Sequence, residues 1–248
     1  MRNTLLKLAI FSLLGVSLAL PNGRVVGGED AQKEQFPHQV SLLKNDAHTC
    51  GGSIVSTKHI LTAAHCVVMG DGIQPYPARM FSVRVGSVNR LAGGELFNVE
   101  RVIVNEKYSN FLNDVAILVL SKPLTLSKTV AIIELADKEV PAGETVRISG
   151  WGRLTHGGLL PWRLQYNDLK AITKEECKER IRWNEDSLLC LDHPKDNGAC
   201  NGDSGGPATY QGKVVGIAGF VYGGCGSSNP DGYAKVFYHK QWIQDNML

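Results

Sequence analysis

Short apolar runs separated by turn residues set the strongest limit on how this chain folds. Five of them are rich in Val, Ile and Leu and are bounded by Gly, Pro, Asn or Asp: HQVSLL, FSVRVGSV, DVAILVL, ETVRISG and KVVGIAGFV. Such runs are typical of β-strands. The 27 glycines among 248 residues, together with scarce helical periodicity, point the same way. We therefore predict an all-β fold of two barrels or sandwiches in one unit.

Two segments carry helical signals instead. In TKEECKERI, Thr173 can cap the first turn, and Glu176 stands three residues later, which is the spacing of a capping box. The C-terminal segment YHKQWIQDNML places Ile243 four residues before Met247, so that the two share a helix face. We predict one helix in each segment.

The first 24 residues read MRNTLLKLAIFSLLGVSLALPNGR. Arg2 and Lys7 are the only charges before a run of apolar and small residues, and Ser17 and Ala19 give a small-x-small cleavage pattern. We predict a signal peptide over residues 1–19 and a secreted, extracellular protein; a signal anchor is the alternative. No other segment has the length needed to cross a bilayer, so we expect no membrane partner.

The charge balance argues against a nucleic-acid partner. The chain has 26 basic and 24 acidic side chains, a net charge of +2. Residues 1–24 contain Arg2, Lys7 and Arg24 but no acid, so the remainder has 23 basic against 24 acidic side chains, or −1. A nucleic-acid surface calls for a clear basic excess, which is missing here.

The chain has 6 cysteines, which in an exported protein predict disulfide bonds. Six cysteines allow about fifteen pairings, and spacing does not choose among them. No CxxC pair is present, which argues against a zinc ribbon or a thioredoxin-type motif. No Asn-x-Ser/Thr sequon is present either, so N-glycosylation is not expected.

Three stretches carry residue types suited to nucleophilic catalysis: LTAAHC, NDVAILVL and GDSGGP. A serine hydroxyl is a weak nucleophile unless an imidazole takes its proton and a buried carboxylate fixes the tautomer of that imidazole. His65, Asp114 and Ser204 supply these three groups. Each of them alone has an ordinary structural explanation, so the prediction depends on their combination.

VVGG, TAAHC, NDVAILVL, GWG and CNGDSGGP follow one another in this order. Together they resemble the chymotrypsin-like family of secreted serine proteases, in particular its insect members, over residues 25–248. The resemblance implies two six-stranded antiparallel β-barrels, an active site between them and a C-terminal helix. It implies His65 as general base, Asp114 as its orienting carboxylate and Ser204 as nucleophile, with the N–H groups of Gly202 and Ser204 as oxyanion hole. A secreted binding protein that has lost catalysis on the same fold is the alternative.

The same resemblance implies a zymogen. Members of the family are cut before a VVGG-type start, which here lies between Arg24 and Val25, after an activation peptide over residues 20–24. The new α-ammonium would pair with Asp203, whose burial beside the nucleophile is costly without a partner. A trypsin-like protease is the implied activator. No cysteine precedes residue 50, so the peptide is not tethered; this favours digestion over a role in a cascade or in immunity.

Disulfides and the expected absence of cofactors also follow from the resemblance. It pairs Cys50 with Cys66, Cys177 with Cys190, and Cys200 with Cys225. No cofactor and no metal are expected. Ser87 stands where calcium-binding relatives have their first acidic ligand, and Glu95 is the one carboxylate left in GSVNRLAGGELFNV. One carboxylate is too few for a cation that takes six or more oxygens.

By resemblance, Gly198 forms the base of the primary specificity pocket, where trypsins have aspartate and chymotrypsins serine. Val221 narrows the entrance, as in elastases, and Asp231 lies on the opposite wall. Some arthropod collagenolytic relatives share a glycine base with an aspartate opposite. We expect a relaxed or mixed preference for apolar or small residues with some tolerance of basic ones; a solvated loop acid at Asp231 is the alternative. The implied partners are protein or peptide substrates and protein inhibitors, and the implied state is a monomer.

Overall fold

The computed structural model describes residues 25–70 and 72–248. The predicted signal peptide (residues 1–19) and activation peptide (residues 20–24, with Arg24) lie outside the described residues. The strands in chain order are β1 (Glu29–Asp30), β2 (Gln39–Lys44), β3 (Ala47–Ile54), β4 (His59–Thr62), β5 (Phe81–Val85), β6 (Glu95–Val104), β7 (Ala116–Leu120), β8 (Glu134–Leu135), β9 (Thr145–Gly150), β10 (Gln165–Ala171), β11 (Leu188–Asp192), β12 (Pro207–Tyr210), β13 (Lys213–Val221) and β14 (Asp231–Lys235). Two 3₁₀ turns (Ala64–Cys66 and Ala78–Met80) and two helices, α1 (Lys174–Ile181) and α2 (Val236–Asp245), complete the secondary structure.

The first barrel is built from β2 to β7. Its six antiparallel strands close in the order β2-β3-β4-β7-β6-β5. In β5 the apolar side chains of Phe81, Val83 and Val85 are buried and the two polar ones between them are less so, which is the alternation expected when one face of a strand meets the core. The all-apolar β7 is buried along its whole length.

The second barrel closes in the same way. Its strands run β9-β10-β11-β14-β13-β12, and β12 pairs with β9 to complete the ring. The short β1 adds to β10, and β8 runs parallel to β13. The two closed six-stranded barrels confirm the predicted fold. Their buried side chains form one connected core that includes Val40 of the first barrel and Ile217 of the second.

The two predicted helices are present. At the start of α1, Glu176 N–H donates to Thr173 Oγ1 at 3.1 Å, and Thr173 N–H donates to Glu176 Oε2 at 3.0 Å, which completes the capping box. The C-terminal helix begins earlier than the segment that predicted it and ends at Asp245. Met247 therefore packs on the core from beyond the helix, and its predicted place on the face of Ile243 is wrong.

Each of the five apolar runs contains a strand. FSVRVGSV is shortened to β5, because the chain turns at Gly86 with a φ of 75°. Within residues 25–70 and 72–248, no helix is long and apolar enough to cross a membrane.

Candidate active site

His65 and Asp114 meet at the edge of the first barrel. His65 lies in the 3₁₀ turn after β4, and Asp114 lies just before β7. The Nδ1–H of His65 donates to Asp114 Oδ2 at 2.6 Å, and the backbone N–H of His65 donates to Oδ1 at 2.9 Å. The Asp114 side chain is 1% exposed and that of His65 is 21% exposed. The carboxylate thus fixes one imidazole tautomer and leaves Nε2 towards the cleft.

Ser204 lies across the cleft from this pair, in the loop before β12. The backbone N–H of Gly51 donates to the Ser204 carbonyl at 2.7 Å, so the first barrel holds the serine loop. The next residue, Gly205, has a φ of +74°, and a Cβ there would lie 2.2 Å from Thr62 Oγ1. Only glycine permits this close approach of the two barrels.

Both His65 and Ser204 line one open cleft of about 560 Å³. Among the described residues, no hydrogen bond joins His65 Nε2 to the Ser204 hydroxyl; Nε2 lies 3.8 Å from the Cys66 sulfur. Such hydrogen bonds are often long or misaligned in a free enzyme and tighten when substrate binds. The structure therefore places His65 and Ser204 in one cleft and joins His65 to the buried Asp114 by two hydrogen bonds.

The residues of the predicted oxyanion hole carry a contact that the sequence did not reveal. Gly202 has a φ of +103°, and a Cβ there would lie 2.9 Å from Leu160 Cδ2. The Nε2–H of His48 donates to the Gly202 carbonyl at 3.1 Å, and the Ser41 hydroxyl lies 2.8 Å from His48 Nδ1. Burial lowers the pKa of His48 to about 4 despite the hydrogen bond to Gly202, which favours protonation. The ring is therefore neutral at physiological pH, with its one hydrogen on Nε2.

Asp203 is buried next to Ser204. Its carboxylate accepts the N–H of Gly152 at 2.7 Å and that of Cys200 at 2.9 Å. Burial raises the pKa of Asp203 to about 6, against the effect of these two donors. A Cβ on Gly150 or on Gly152 would lie 2.1 Å from one of the carboxylate oxygens. Val25, the predicted partner, is also fully buried.

The structure does not place all the predicted pocket residues on the surface of the cleft. Gly198 and Asp231 are not among the residues that line the cleft, whereas Val221 is. A Cβ on Gly198 would lie 2.5 Å from His193 Nε2 and 2.6 Å from Asp231 Oδ2. Asp231 is buried and accepts the Ala199 N–H at 2.7 Å, so the alternative of a solvated loop acid is wrong. His193, its buried neighbour, was not singled out in the sequence.

Phe111 and Phe220 line the cleft near His65, and Trp183 packs against Phe220. The Phe111 ring lies 5.4 Å from the His65 ring and 5.8 Å from that of Phe220, and Trp183 follows at 4.9 Å from Phe220. Phe111 has a φ of 65°, which is unusual for an aromatic residue. Phe111 lies in the same loop before β7 as Asp114. No local sequence pattern marks Phe111 or Trp183, because their loops come together only in the folded chain.

All six cysteines are in disulfides: Cys50–Cys66, Cys177–Cys190 and Cys200–Cys225. This is the pairing that the resemblance implies. The sulfurs of Cys50 and Cys66 lie near His65, but disulfide sulfurs offer no thiolate to a metal ion. Ser87 holds its loop by donating to the carbonyls of Asn89 and Ala92, and Glu95 is ion-paired with Lys122 at 2.9 Å. These contacts give no support for a calcium site.

Comparison with known proteins decides the family. The trypsin family profile matches residues 25–243. The chain belongs to the trypsin family. It is 46% identical over 224 residues to Serine protease SP24D of Anopheles gambiae, covering 90% of this chain and 81% of that protein. It is 34% identical to Chymotrypsin-2 of Vespa crabro (90% and 100% covered) and 34% identical to Trypsin delta of Drosophila melanogaster (91% and 89% covered).

Membership of the trypsin family makes the chain a serine endopeptidase that acts on protein substrates. It also confirms the resemblance to insect serine proteases. The trypsin-family relatives carry both chymotrypsin and trypsin in their names, so these names select neither an apolar nor a basic preference for this chain.

Proposed function

We propose that Ser204 is the nucleophile, His65 its general base and Asp114 the carboxylate that orients His65. The observation that carries this proposal is the pair of hydrogen bonds from His65 to the buried Asp114, at 2.6 and 2.9 Å, beside the cleft that Ser204 also lines. His65 takes the proton of Ser204 as the hydroxyl attacks the scissile carbonyl. The imidazolium then gives that proton to the leaving amine, and water releases the acyl group by the same steps.

The proposed oxyanion hole consists of the N–H groups of Gly202 and Ser204. Negative charge builds on the substrate oxygen only in the transition state, so donors fixed in advance lower the barrier selectively. The positive φ of Gly202 and the hydrogen bond from His48 to its carbonyl hold this part of the loop in one conformation.

We further propose that the protein is made as a zymogen and is activated by cleavage between Arg24 and Val25. The support is the environment of Asp203, which is fully buried and whose pKa is raised to about 6 by that burial. A nearby ammonium keeps such a carboxylate ionised and stabilises its loop. The arginine before the bond calls for a trypsin-like activator. The domains proposed are a signal peptide (1–19), an activation peptide (20–24) and a protease domain (25–248).

The proposed substrate preference is apolar or mixed rather than strictly basic. The lining of the cleft includes Ala199, Tyr233 and Val221, all of which offer apolar surface. The carboxylate of Asp231 lies behind that lining. Pocket contacts of this size change substrate preference by roughly 1 to 3 kcal/mol, so tolerance of several side chains is expected.

A secreted, extracellular role in digestion fits best. Three disulfides require an oxidising compartment to form. Residues 1–24 contain no cysteine, and no free cysteine is present in the described chain, so nothing tethers the peptide after cleavage. Protein inhibitors are the remaining partners proposed, and the protein is proposed to act as a monomer. A tissue expression profile concentrated outside the gut would favour a cascade or immune role instead.

One experiment tests the catalytic assignment and the activation site together. The purified precursor is treated with trypsin, sequenced from its N-terminus and reacted with an organophosphonate. We expect a Val25 N-terminus and label on Ser204 only after cleavage. The Ser204→Ala variant, processed in the same way, controls for label at other residues. Label that persists in this variant would overturn the assignment.

A further inference from the structure

His193 and Asp231 form a buried contact behind the lining of the specificity pocket. Their side chains are 1% and 4% exposed, and His193 Nε2 lies 3.3 Å from Asp231 Oδ2. The space that a side chain on Gly198 would fill is taken by these two atoms. The same carboxylate oxygen accepts the N–H of Ala199, which itself lines the cleft. Ala199 thus connects the buried pair to the wall of the cleft.

The hydrogen-bond partners of His193 fix where its protons are. Nδ1 lies 2.9 Å from the carbonyl oxygen of Pro194, which can only accept, so Nδ1 carries a hydrogen. Nε2 is buried and makes no well-directed hydrogen bond among the described residues. In a neutral ring, this atom would turn a lone pair towards the Asp231 carboxylate. A proton on either Nε2 or the carboxyl removes that repulsion.

The proton that lies on either His193 Nε2 or the Asp231 carboxyl, here called the shared proton, sets the charge of the pair. With it, the pair has no net charge, whether as imidazolium beside carboxylate or as imidazole beside carboxylic acid. Without it, the pair carries one negative charge with almost no access to water, which is strongly unfavourable unless a cation is near. Burial alone would lower the pKa of His193, but the Asp231 carboxylate, 3.3 Å from Nε2, outweighs it and the net shift is upward. Burial also raises the pKa of Asp231, partly offset by His193.

Among the described residues, the charged side chains that act on the pair include no unpaired cation, and in the cleaved enzyme the Val25 ammonium proposed above would be neutralised by Asp203. On the side of His193, Asp192 favours protonation of the ring, but its carboxylate is ion-paired with Arg180 at 2.5 Å. On the side of Asp231, the neighbouring ionisable groups are Asp203 and the buried Tyr233 hydroxyl. Their proximity disfavours a further negative charge. The surroundings therefore favour retention of the shared proton when the pocket is empty.

We propose that His193 is a specificity-determining residue: it holds one proton against Asp231, so that the pocket takes apolar side chains, and it gives up that proton at alkaline pH or when a Lys or Arg side chain enters. This inference rests on the proposed peptidase function. A cationic side chain stabilises the deprotonated, negatively charged pair, whereas an apolar side chain does not. The preference for a basic residue before the scissile bond therefore rises with pH.

The test compares two peptide substrates that differ only in Arg or Leu before the scissile bond, between about pH 6 and 10. Both substrates pass through the same catalytic steps, so the pH dependence of those shared steps cancels in the ratio of their kcat/KM values. We expect the Arg/Leu ratio to rise about tenfold or more along a one-proton curve centred above the ordinary histidine pKa of about 6.5.

Three variants test whether the pH dependence of the Arg/Leu ratio arises from His193 and Asp231 or from other groups. His193→Gln keeps a hydrogen-bond donor towards Asp231 but cannot titrate. Its Arg/Leu ratio of kcat/KM values is therefore expected to be independent of pH and higher than that of the wild type at neutral pH. Asp231→Asn removes the charge, so its ratio is flat and shifted towards Leu. His156→Gln replaces an exposed histidine and is expected to keep the wild-type curve.

A wild-type ratio that does not change with pH overturns the inference, as does a pH dependence that survives in His193→Gln. Failure of the proposed function looks different: neither substrate is cut and Ser204 is not labelled. If His193→Gln does not fold, calorimetry of benzamidinium binding to the wild-type enzyme near pH 7 in two buffers of different ionisation enthalpy decides. The inference requires proton release on binding, and the absence of release overturns it.

Discussion

His48 Nε2 lies 3.1 Å from the carbonyl oxygen of Gly202, so a strand of the first barrel holds the loop that carries the proposed oxyanion hole. The His48 ring is in turn held by the Ser41 hydroxyl and by an edge contact with Trp151, at 5.9 Å between ring centroids. Because burial keeps this histidine neutral in mildly acidic solution, Nε2–H donates to Gly202 while Nδ1 keeps the lone pair that accepts from the Ser41 hydroxyl. The contact joins the two barrels at the point where transition-state charge would develop.

Replacing His48 should therefore reduce catalysis without weakening substrate binding. His48→Phe keeps a ring against Trp151 but leaves the Gly202 carbonyl without its donor. Losing an oxyanion donor outright costs about 10²–10³ in kcat, so loosening its loop should cost roughly ten- to a hundredfold. Steady-state kinetics, normalised by active-site titration, measure this. Ser41→Ala is the milder control, and a kcat in His48→Phe equal to that of wild type would contradict the role.

The two hydrogen bonds from His65 to Asp114 predict a large effect of Asp114→Asn. An amide can present its N–H₂ to Nδ1, which would stabilise the wrong tautomer and remove the proton acceptor from Nε2. In well-studied enzymes with this triad, the same change lowers kcat by about 10⁴. Values of kcat for the wild type and for Asp114→Asn, measured at neutral and alkaline pH, give the size of this loss. The Ser204→Ala variant gives the background rate, and an Asp114→Asn variant within tenfold of wild type would rule out the assigned role.

The proposed catalytic residues could be identified in the sequence because each lies in a run with a recognisable local pattern. Ser204 stands among glycines whose positive φ values or close approaches leave no room for a side chain, as at Gly202 and Gly205. The five apolar runs likewise reveal strands whose own side chains make the core. Polar strands such as β10, QYNDLKA, escaped prediction, since their place depends on pairing with β9 and β11 rather than on local pattern.

The residues that sequence reasoning missed act through contacts distant along the chain. His48 reaches Gly202, which is 154 residues later. His193 meets Asp231 only because β11 and β14 are neighbours in the second barrel. A lone histidine in a sequence gives no sign of such a partner. Of the predicted pocket residues, Val221 lines the cleft, whereas Gly198 and Asp231 lie outside its lining, where the charge depends on the pair of Asp231 and His193.

The space around Gly198 predicts a sharp difference between two glycine-to-alanine changes. Gly198 and Gly212 have φ values of +102° and +77°, so alanine is strained at both, by roughly 1–2 kcal/mol. At Gly212 nothing lies within 4 Å of the added Cβ, whereas at Gly198 the pair of His193 and Asp231 blocks it. Gly198→Ala should cost about 2 kcal/mol more, as in other overpacked sites.

Urea unfolding of both glycine variants measures this difference in the free energy of unfolding. Gly212→Ala is the matched control for backbone strain. Equal losses in the two variants would mean that His193 and Asp231 move aside without cost. An aspartate placed at position 198, where trypsins have one, should be worse than alanine because it meets the Asp231 carboxylate as well.

The raised pKa of Asp203 predicts that the stability of the protein depends on pH, and that cleavage between Arg24 and Val25 changes this dependence. Its folded pKa of about 6 lies above the ordinary value of 3.8, so the folded chain holds the proton more tightly than the unfolded chain does. The contribution of Asp203 to the free energy of unfolding is therefore fully present in acid and is lost as the pH rises from about 4 to about 6. The loss amounts to about 3 kcal/mol. Asp203→Asn does not titrate and should not show it.

The measurement compares urea unfolding of the uncleaved protein and of its Asp203→Asn variant at several pH values across this window. We expect the wild-type free energy of unfolding to fall relative to that of the variant as the pH rises, and then to level off. In cleaved protein, a Val25 ammonium next to Asp203 would keep the carboxylate ionised and lower its pKa, so the decline should shrink or vanish. Parallel curves for the uncleaved wild type and variant would show that Asp203 is not held as a buried, unpaired acid before cleavage. An equal decline before and after cleavage would show that the new N-terminus does not reach it.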